Sequence, residues 1–359
     1  MIDFSPTEEQ QLIVETVRQF VENEVRPLAR ECDEAGSVPA ALLASAHELG
    51  LVANAFPESQ GGGGERSAVT GVLIAEELAR GDAAIALAIL SPGLCGFPVA
   101  DFGDPALHDG VIGALTGSSF TPGSLALVEP RFDHDPFAPK TTATADGGDY
   151  VISGEKCFVP WLAGGEHVVV TASLDGAARA FVVERSAAGL KAEREQNMGL
   201  QAFETAELRL DGVRVPGTAL LAEGAVRDIV TRGRAALATV AVGIAQASFE
   251  VARDYAKERH AFGVPIASKQ AIAFKLADMS IEIDGARLLA WEAAARLDAG
   301  EDALREATLA CQQAARVALQ VSDGSVQVFG GHGYIRDYLP EMHLRNARGF
   351  TSFEALALI

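Results

Sequence analysis

The chain has 359 residues, a formal net charge of −20, 48% apolar residues and 22% charged ones. That length exceeds one compact core and predicts two or three domains. The acidity opposes binding to nucleic acid or to an anionic membrane surface. Four scattered cysteines (Cys32, Cys95, Cys157, Cys311) form no C-x-x-C pair, which favours a reducing compartment over a disulfide framework or a zinc site. The N-terminus lacks the basic and apolar regions of a secretory signal. The weakly polar run Ala235 to Ala247 is shorter than the ~18–20 residues that cross a bilayer. A cytoplasmic protein without membrane contact is expected. The seven histidines show no ligand spacing, and no metal is expected.

Residues 1–120 read as a helical domain. Ser5-Pro6-Thr7-Glu8 offers an N-cap, a first-turn proline and a capping-box glutamate. Leu12, Ile13, Val17, Phe20, Val21 and Val25 form one apolar stripe, ending near Pro27. Pro39 to Leu49 and Ala68 to Arg80 predict further helices, with the flexible Gly61 to Gly64 as a loop between them. This glycine run is neither a P-loop nor a dinucleotide fingerprint.

From residue 121 to about 225 the texture is that of short strands: Ser124 to Val128, Thr141 to Ala145, Tyr150 to Ser153, His167 to Ala172, Ala180 to Glu184 and Glu207 to Leu210. Gly147-Gly148, Asp175-Gly176 and Asp211-Gly212 mark turns. Close spacing without intervening helices predicts a small antiparallel β domain. Residues 226–359 return to helix. Ala235 to Glu258 is rich in Ala and Gly, so neighbouring helices can approach closely. A second helix is capped by Ser268 and carries Ile272, Leu276, Met279 and Ile283 on one face. A third runs from about Ala303 to Val328. The order predicts an α+β protein with an N-terminal helical domain, a central antiparallel β domain and a C-terminal four-helix bundle.

The pattern Arg259-x-x-Phe262-Gly263-x-Pro265, with Gln270, Phe274, Leu276-Ala277-Asp278-Met279 and Ala286-Arg287-Leu288, resembles the acyl-CoA dehydrogenase family. Periodicity alone supports only a helical hairpin here. Further landmarks are Gly154-Glu155-Lys156, Asn197-Met198-Gly199, Val213-x-Val215-Pro216, Gln327 to Tyr334 and Arg345-Asn346-Ala347-Arg348, so the resemblance spans essentially the whole chain. It implies FAD bound between the β domain and the bundle, with each FAD contacted by two subunits. Arg259, Phe262, Gln270, Gln327, Gly330 and Gly331 would then face the FAD of a neighbouring subunit. It also implies an acyl-CoA substrate, electron-transfer flavoprotein as oxidant, and a homotetramer or an α2β2 heterotetramer.

The family removes an α-proton with a carboxylate while a hydride leaves the β-carbon for the flavin. The base needs a dry pocket and hydrogen-bond reach. Register from Arg345 places Glu354 at that position, after the aromatic Phe353. A solvated glutamate, or one opening a last helix, remains an alternative. A second position used for the base holds Gly233. Arg234, beside it, falls where the family places an arginine near the substrate. Arg232, Arg234, Arg259 and Lys269 form a candidate basic patch for the anionic CoA, or a solvated face.

Other positions depart from the family. Its run around the flavin pyrophosphate appears as Val128-Glu129-Pro130-Arg131-Phe132-Asp133-His134, losing a hydroxyl at Val128 and two glycines. An added carboxylate repels phosphate, although Arg131 or His134 could compensate as cations. The flavin-lining run becomes Phe158-Val159-Pro160, where Pro160 removes a donor. Gly-Thr after the base becomes Ala355-Leu356, with the terminal helix missing or shortened. The neighbour-facing residues are thus retained and those for the chain's own FAD are changed. Three readings follow: a working dehydrogenase with Glu354 as base, a partner subunit that completes a related chain's site, or a member with another flavin reaction or a non-redox role.

Overall fold

A computed structural model describes residues 5–64, 66–350 and 352–359. The first helix, α1 (Glu8–Phe20), begins two residues later than expected. Thr7 is the N-cap, accepting from the Gln10 amide at 3.2 Å, while the Gln10 side chain accepts from the Thr7 amide at 2.9 Å. This reciprocal pair leaves Glu8 and Glu9 in the first turn, where the helix dipole favours them. The helix does not stop near Pro27. A π turn over Val21–Val25 feeds α2 (Arg26–Ala35), and Pro27 sits in its first turn, where a missing donor costs little.

Then come α3 (Ala40–Glu48), α4 (Ala68–Gly81), α5 (Ala83–Leu90), α6 (Pro92–Phe102) and two single turns, α7 (Pro105–Leu107) and α8 (Gly113–Leu115). Residues Ala83–Phe102 have a mean hydropathy of 1.9, but 94% of that window is buried in the fold. They are apolar on every side because protein surrounds them.

The strands are β1 (Ser124–Ala126), β2 (Thr142–Asp146), β3 (Asp149–Pro160), β4 (His167–Leu174), β5 (Ala177–Glu184), β6 (Leu190–Arg194) and β7 (Thr205–Val215). They form one sheet in the order β1-β4-β2-β3-β7-β6, with β5 on β4. Hairpin pairs are antiparallel, but β4 lies parallel to both β1 and β2. Those ladders join strands distant in sequence, so no turn signal announces them.

The remaining helices are α9 (Ala225–Glu258), α10 (Gln270–Asp298), α11 (Leu304–Phe329) and the short α12 (Pro340–Gly349). The α9 helix is the axis of the molecule, packed against α4, α10 and α11. Gly243 makes the closest approach: a Cβ there would stand 2.6 Å from the Glu76 carbonyl. A two-residue hairpin, β8 (His260–Ala261) with β9 (Val264–Pro265), turns α9 into α10. Ser268 does not cap α10. Its hydroxyl donates to the Pro265 carbonyl at 2.7 Å, closing a 3-10 turn before the helix starts at Gln270.

Candidate active site

Glu354 lies in the loop after α12, and its carboxylate is ion-paired with the Arg234 guanidinium of α9. Arg234 also donates to the Thr308 hydroxyl of α11 at 2.7 Å, so two long helices fix its position. The paired residues are 120 positions apart in sequence. The Glu354 side chain keeps 31% of its surface exposed, against 14% for Arg234. Cys311, one turn beyond Thr308, completes this corner; burial pushes its thiol up to about 11. It is therefore a neutral packing group at physiological pH.

Phe353, expected beside a substrate, is buried among its own chain's aromatics. Its ring centroid stands 6.1 Å from those of both Phe158 and Phe203. Phe158 occupies a bulge of β3 with φ of +51°, and its amide donates to the Glu195 carboxylate at 3.1 Å. Pro160 is buried in register with Thr205 of β7. Half-buried Val128 accepts from the Cys157 amide at 3.0 Å. The residues expected around this chain's own FAD are thus tied into its own sheet and aromatic cluster.

Charges in the neighbouring loop are also matched internally. Arg131 pairs with Asp133 at 3.0 Å in open solvent, so neither cation nor carboxylate stands alone there. Burial, then the Lys156 ammonium, holds the His134 imidazole below the ordinary histidine range, against the pull of Glu354 and Glu129. His134 is therefore neutral at pH 7, and it is not the compensating cation that the sequence allows. Both its ring nitrogens are buried without a partner among the described residues. Beneath it, Lys156 donates to Glu129 at 3.1 Å, to the Leu127 carbonyl and to the Thr171 hydroxyl. Burial alone would raise the Glu129 carboxyl, but Lys156 and the amides of Thr141 and Lys140 outweigh it and hold it at about 2.

The far end of α9 is different. Arg259, Phe262, Gln270, Gln327, Gly330 and Gly331 all converge there and are all exposed. Ala252, Ala256 and Val328, with Ile266 and Ile272, pack the helix ends that carry them. Tyr255 stacks on Phe329 at 3.9 Å and bonds His332 at 2.9 Å. Among the described residues, no hydrogen bond or ion pair engages the side chains of Arg259, Gln270 or Gln327. Gly330 has φ of +60°, which favours glycine. Gly331 has no such need, and a Cβ there would meet nothing.

A helix rises 1.5 Å per residue, so Arg234 and Arg259 are separated by about 37 Å along α9. The candidate basic patch is consequently divided. Arg232 pairs with Asp228 at 3.0 Å and Arg234 with Glu354, while Arg259 and Lys269 lie at the other end. The unpartnered end fits a ligand presented from outside the chain. The Glu129–His134 loop offers no glycine cradle for a pyrophosphate, because Arg131 and Asp133 stand where the resemblance implies glycines.

Comparison with known proteins agrees with this architecture. The family models for the acyl-CoA dehydrogenase N-terminal, middle and C-terminal domains match residues 7–117, 124–213 and 224–354. A probable acyl-CoA dehydrogenase, YngJ of Bacillus subtilis (strain 168), is 35% identical over 97% of this chain and 94% of its own length. The butyryl-CoA dehydrogenase structure from Megasphaera elsdenii superposes with a TM-score of 0.90 at 30% identity, covering 99% of this chain and 97% of that one. A chain from the work on the electron transferring flavoprotein of Acidaminococcus fermentans gives 0.90 at 31%, covering 99% and 96%.

Proposed function

The chain belongs to the acyl-CoA dehydrogenase family, and from that premise we propose that it is a flavoprotein oxidoreductase acting on the α,β carbon–carbon bond of an acyl-CoA thioester, with Glu354 as base. The observation that carries this reading is the Arg234–Glu354 pair, formed across 120 residues at the edge of an apolar interior. A carboxylate acts as a general base only when it is held within hydrogen-bond reach of the proton it removes. Arg234, fixed by Thr308, sets the position from which Glu354 would take the α-proton. FAD, when bound, supplies the acceptor for the hydride leaving the β-carbon.

Arg259, Gln270 and Gln327 would hold the flavin of a neighbouring chain by charge and hydrogen bonds, with Phe262 as an apolar wall and Gly330-Gly331 allowing close backbone approach. Two chains are needed because the two ends of α9 are too far apart to meet on one flavin. Exposed Phe274, Ile281 and Leu288 recur at seven-residue steps along α10, the spacing of a seam for another helix. They support a homotetramer or an α2β2 assembly. Electron-transfer flavoprotein as oxidant is supported by the Acidaminococcus match, and the thioester chemistry is of the kind used in fatty-acid or sterol β-oxidation. The free cysteines support a cytoplasmic location.

A second reading is favoured by the loop at Arg131–Asp133: the chain completes the FAD site of a related subunit while its own cleft binds flavin weakly. Glu354→Gln, assayed by thioester-dependent flavin reduction, separates the two. A fall of at least about 100-fold, the scale of general-base catalysis, is expected of the first reading. Unchanged reduction would remove Glu354 from the chemistry, and a wild-type chain that carries too little flavin to be reduced would favour the second.

A further inference from the structure

Directly after Glu354 the chain runs into the apolar interior. Ala355, Leu356, Ala357, Leu358 and Ile359 are each only 2% exposed and belong to the main hydrophobic core. They form no helix or strand. The segment threads between α4, α6 and α9. A Cβ on Gly71 of α4 would stand 2.9 Å from the Ile359 side chain. One on Gly233 of α9 would stand 2.7 Å from both the Ala355 Cβ and the Leu356 nitrogen, and one on Gly93 of α6 would lie 3.4 Å from the Ala357 carbonyl. The Leu356 amide donates to the Gly233 carbonyl at 3.4 Å.

Gly71 and Gly233 do not have left-handed dihedrals, and glycine inside a helix is destabilising relative to alanine. The nearest atoms to a Cβ at either position are those of this segment. The two glycines therefore make the room in which it lies. This rests on Glu354 as the base: the α-carbon of a thioester must then sit beside Glu354, and the rest of the acyl chain must enter the apolar space that begins at Ala355. Leu356, Leu358 and Ile359 offer as many side-chain carbons as a medium-length acyl tail. We propose that Ala355–Ile359 is the chain's own occupant of the acyl slot, so that this segment and an acyl chain exclude one another and its displacement determines which thioesters are admitted.

The test is a reversible lock. In Gly71→Cys/Ile359→Cys the Cβ of residue 71 would stand 2.9 Å from that of residue 359, so residue 359 must move outward by roughly 1 Å to reach disulfide spacing. Binding of dodecanoyl-CoA and of CoA alone is measured by calorimetry on the full chain, oxidised and then reduced. Oxidised protein is expected to bind dodecanoyl-CoA no tighter than CoA. Reduction is expected to tighten dodecanoyl-CoA at least about ten-fold while leaving CoA unchanged, because each buried methylene adds affinity. Equal dodecanoyl-CoA affinities in the two redox states overturn the proposal. Absence of CoA binding in both states overturns the acyl-CoA reading itself. Truncation after Glu354, checked by thermal melting, is expected to give the same gain without reductant.

Discussion

At one end of α9, Arg234 is closed upon Glu354 and Thr308. At the other, about 37 Å away, Arg259, Gln270 and Gln327 face outward without partners among the described residues. The first end and its adjoining loop satisfy their own charges, as Lys156 does with Glu129 and Arg131 with Asp133. The second end presents polar side chains and a glycine that nothing in the chain requires. Internal satisfaction marks structure, whereas exposed donors without a protein partner are free to meet water or another molecule.

The comparison can be broken most forcefully inside the β domain. Glu129→Gln leaves the buried Lys156 ammonium without its counter-charge, and a loss of about 3 kcal/mol is expected in chemical denaturation. A loss near zero would mean that the closed end is not held by its charges.

A comparable effect depends on pH. Burial, with Arg26 and Arg30 nearby, lowers the His343 imidazole to about 4. Between that value and the unfolded value of 6.5 the unfolded chain binds more protons, so His343 makes stability fall as pH drops from 6.5 to 4. Asp82, pushed up to about 6 chiefly by burial, acts in the opposite sense in the same range. The gap in stability between wild type and His343→Asn should therefore narrow by up to about 3 kcal/mol on acidification. A constant gap in denaturation midpoints would remove His343 as the cause. The smallest effect is expected of Arg131→Ala, which should change neither melting temperature nor flavin content, because the solvated pair holds nothing together.

Much of the fold was legible because local rules agreed with it. Asp175-Gly176 and Gly147-Gly148 lie at hairpin turns, and the α10 face with Met279 and Ile283 is buried. Legibility fails where neighbours decide. The α5 helix has no apolar stripe because all its sides are covered. The exposed edge strand β6 carries Lys191, Glu193 and Arg194, so it shows little apolar alternation. In the candidate site, register from Arg345 proposes Glu354, but no local signal could pair it with Arg234, or bring Phe203, Thr308 and Cys311 near it. Ala355–Ile359 stand where the resemblance implies a terminal helix that is missing or shortened, and their apolar run is drawn into the interior.

The central claim is that the outward end of α9 builds half of a flavin site for another chain. It is tested most directly by FAD per chain, from the absorbance of purified protein, in Arg259→Ala beside wild type. Loss of most of the bound flavin, with particle size and melting temperature unchanged, is predicted. Full flavin content in that variant would contradict the account.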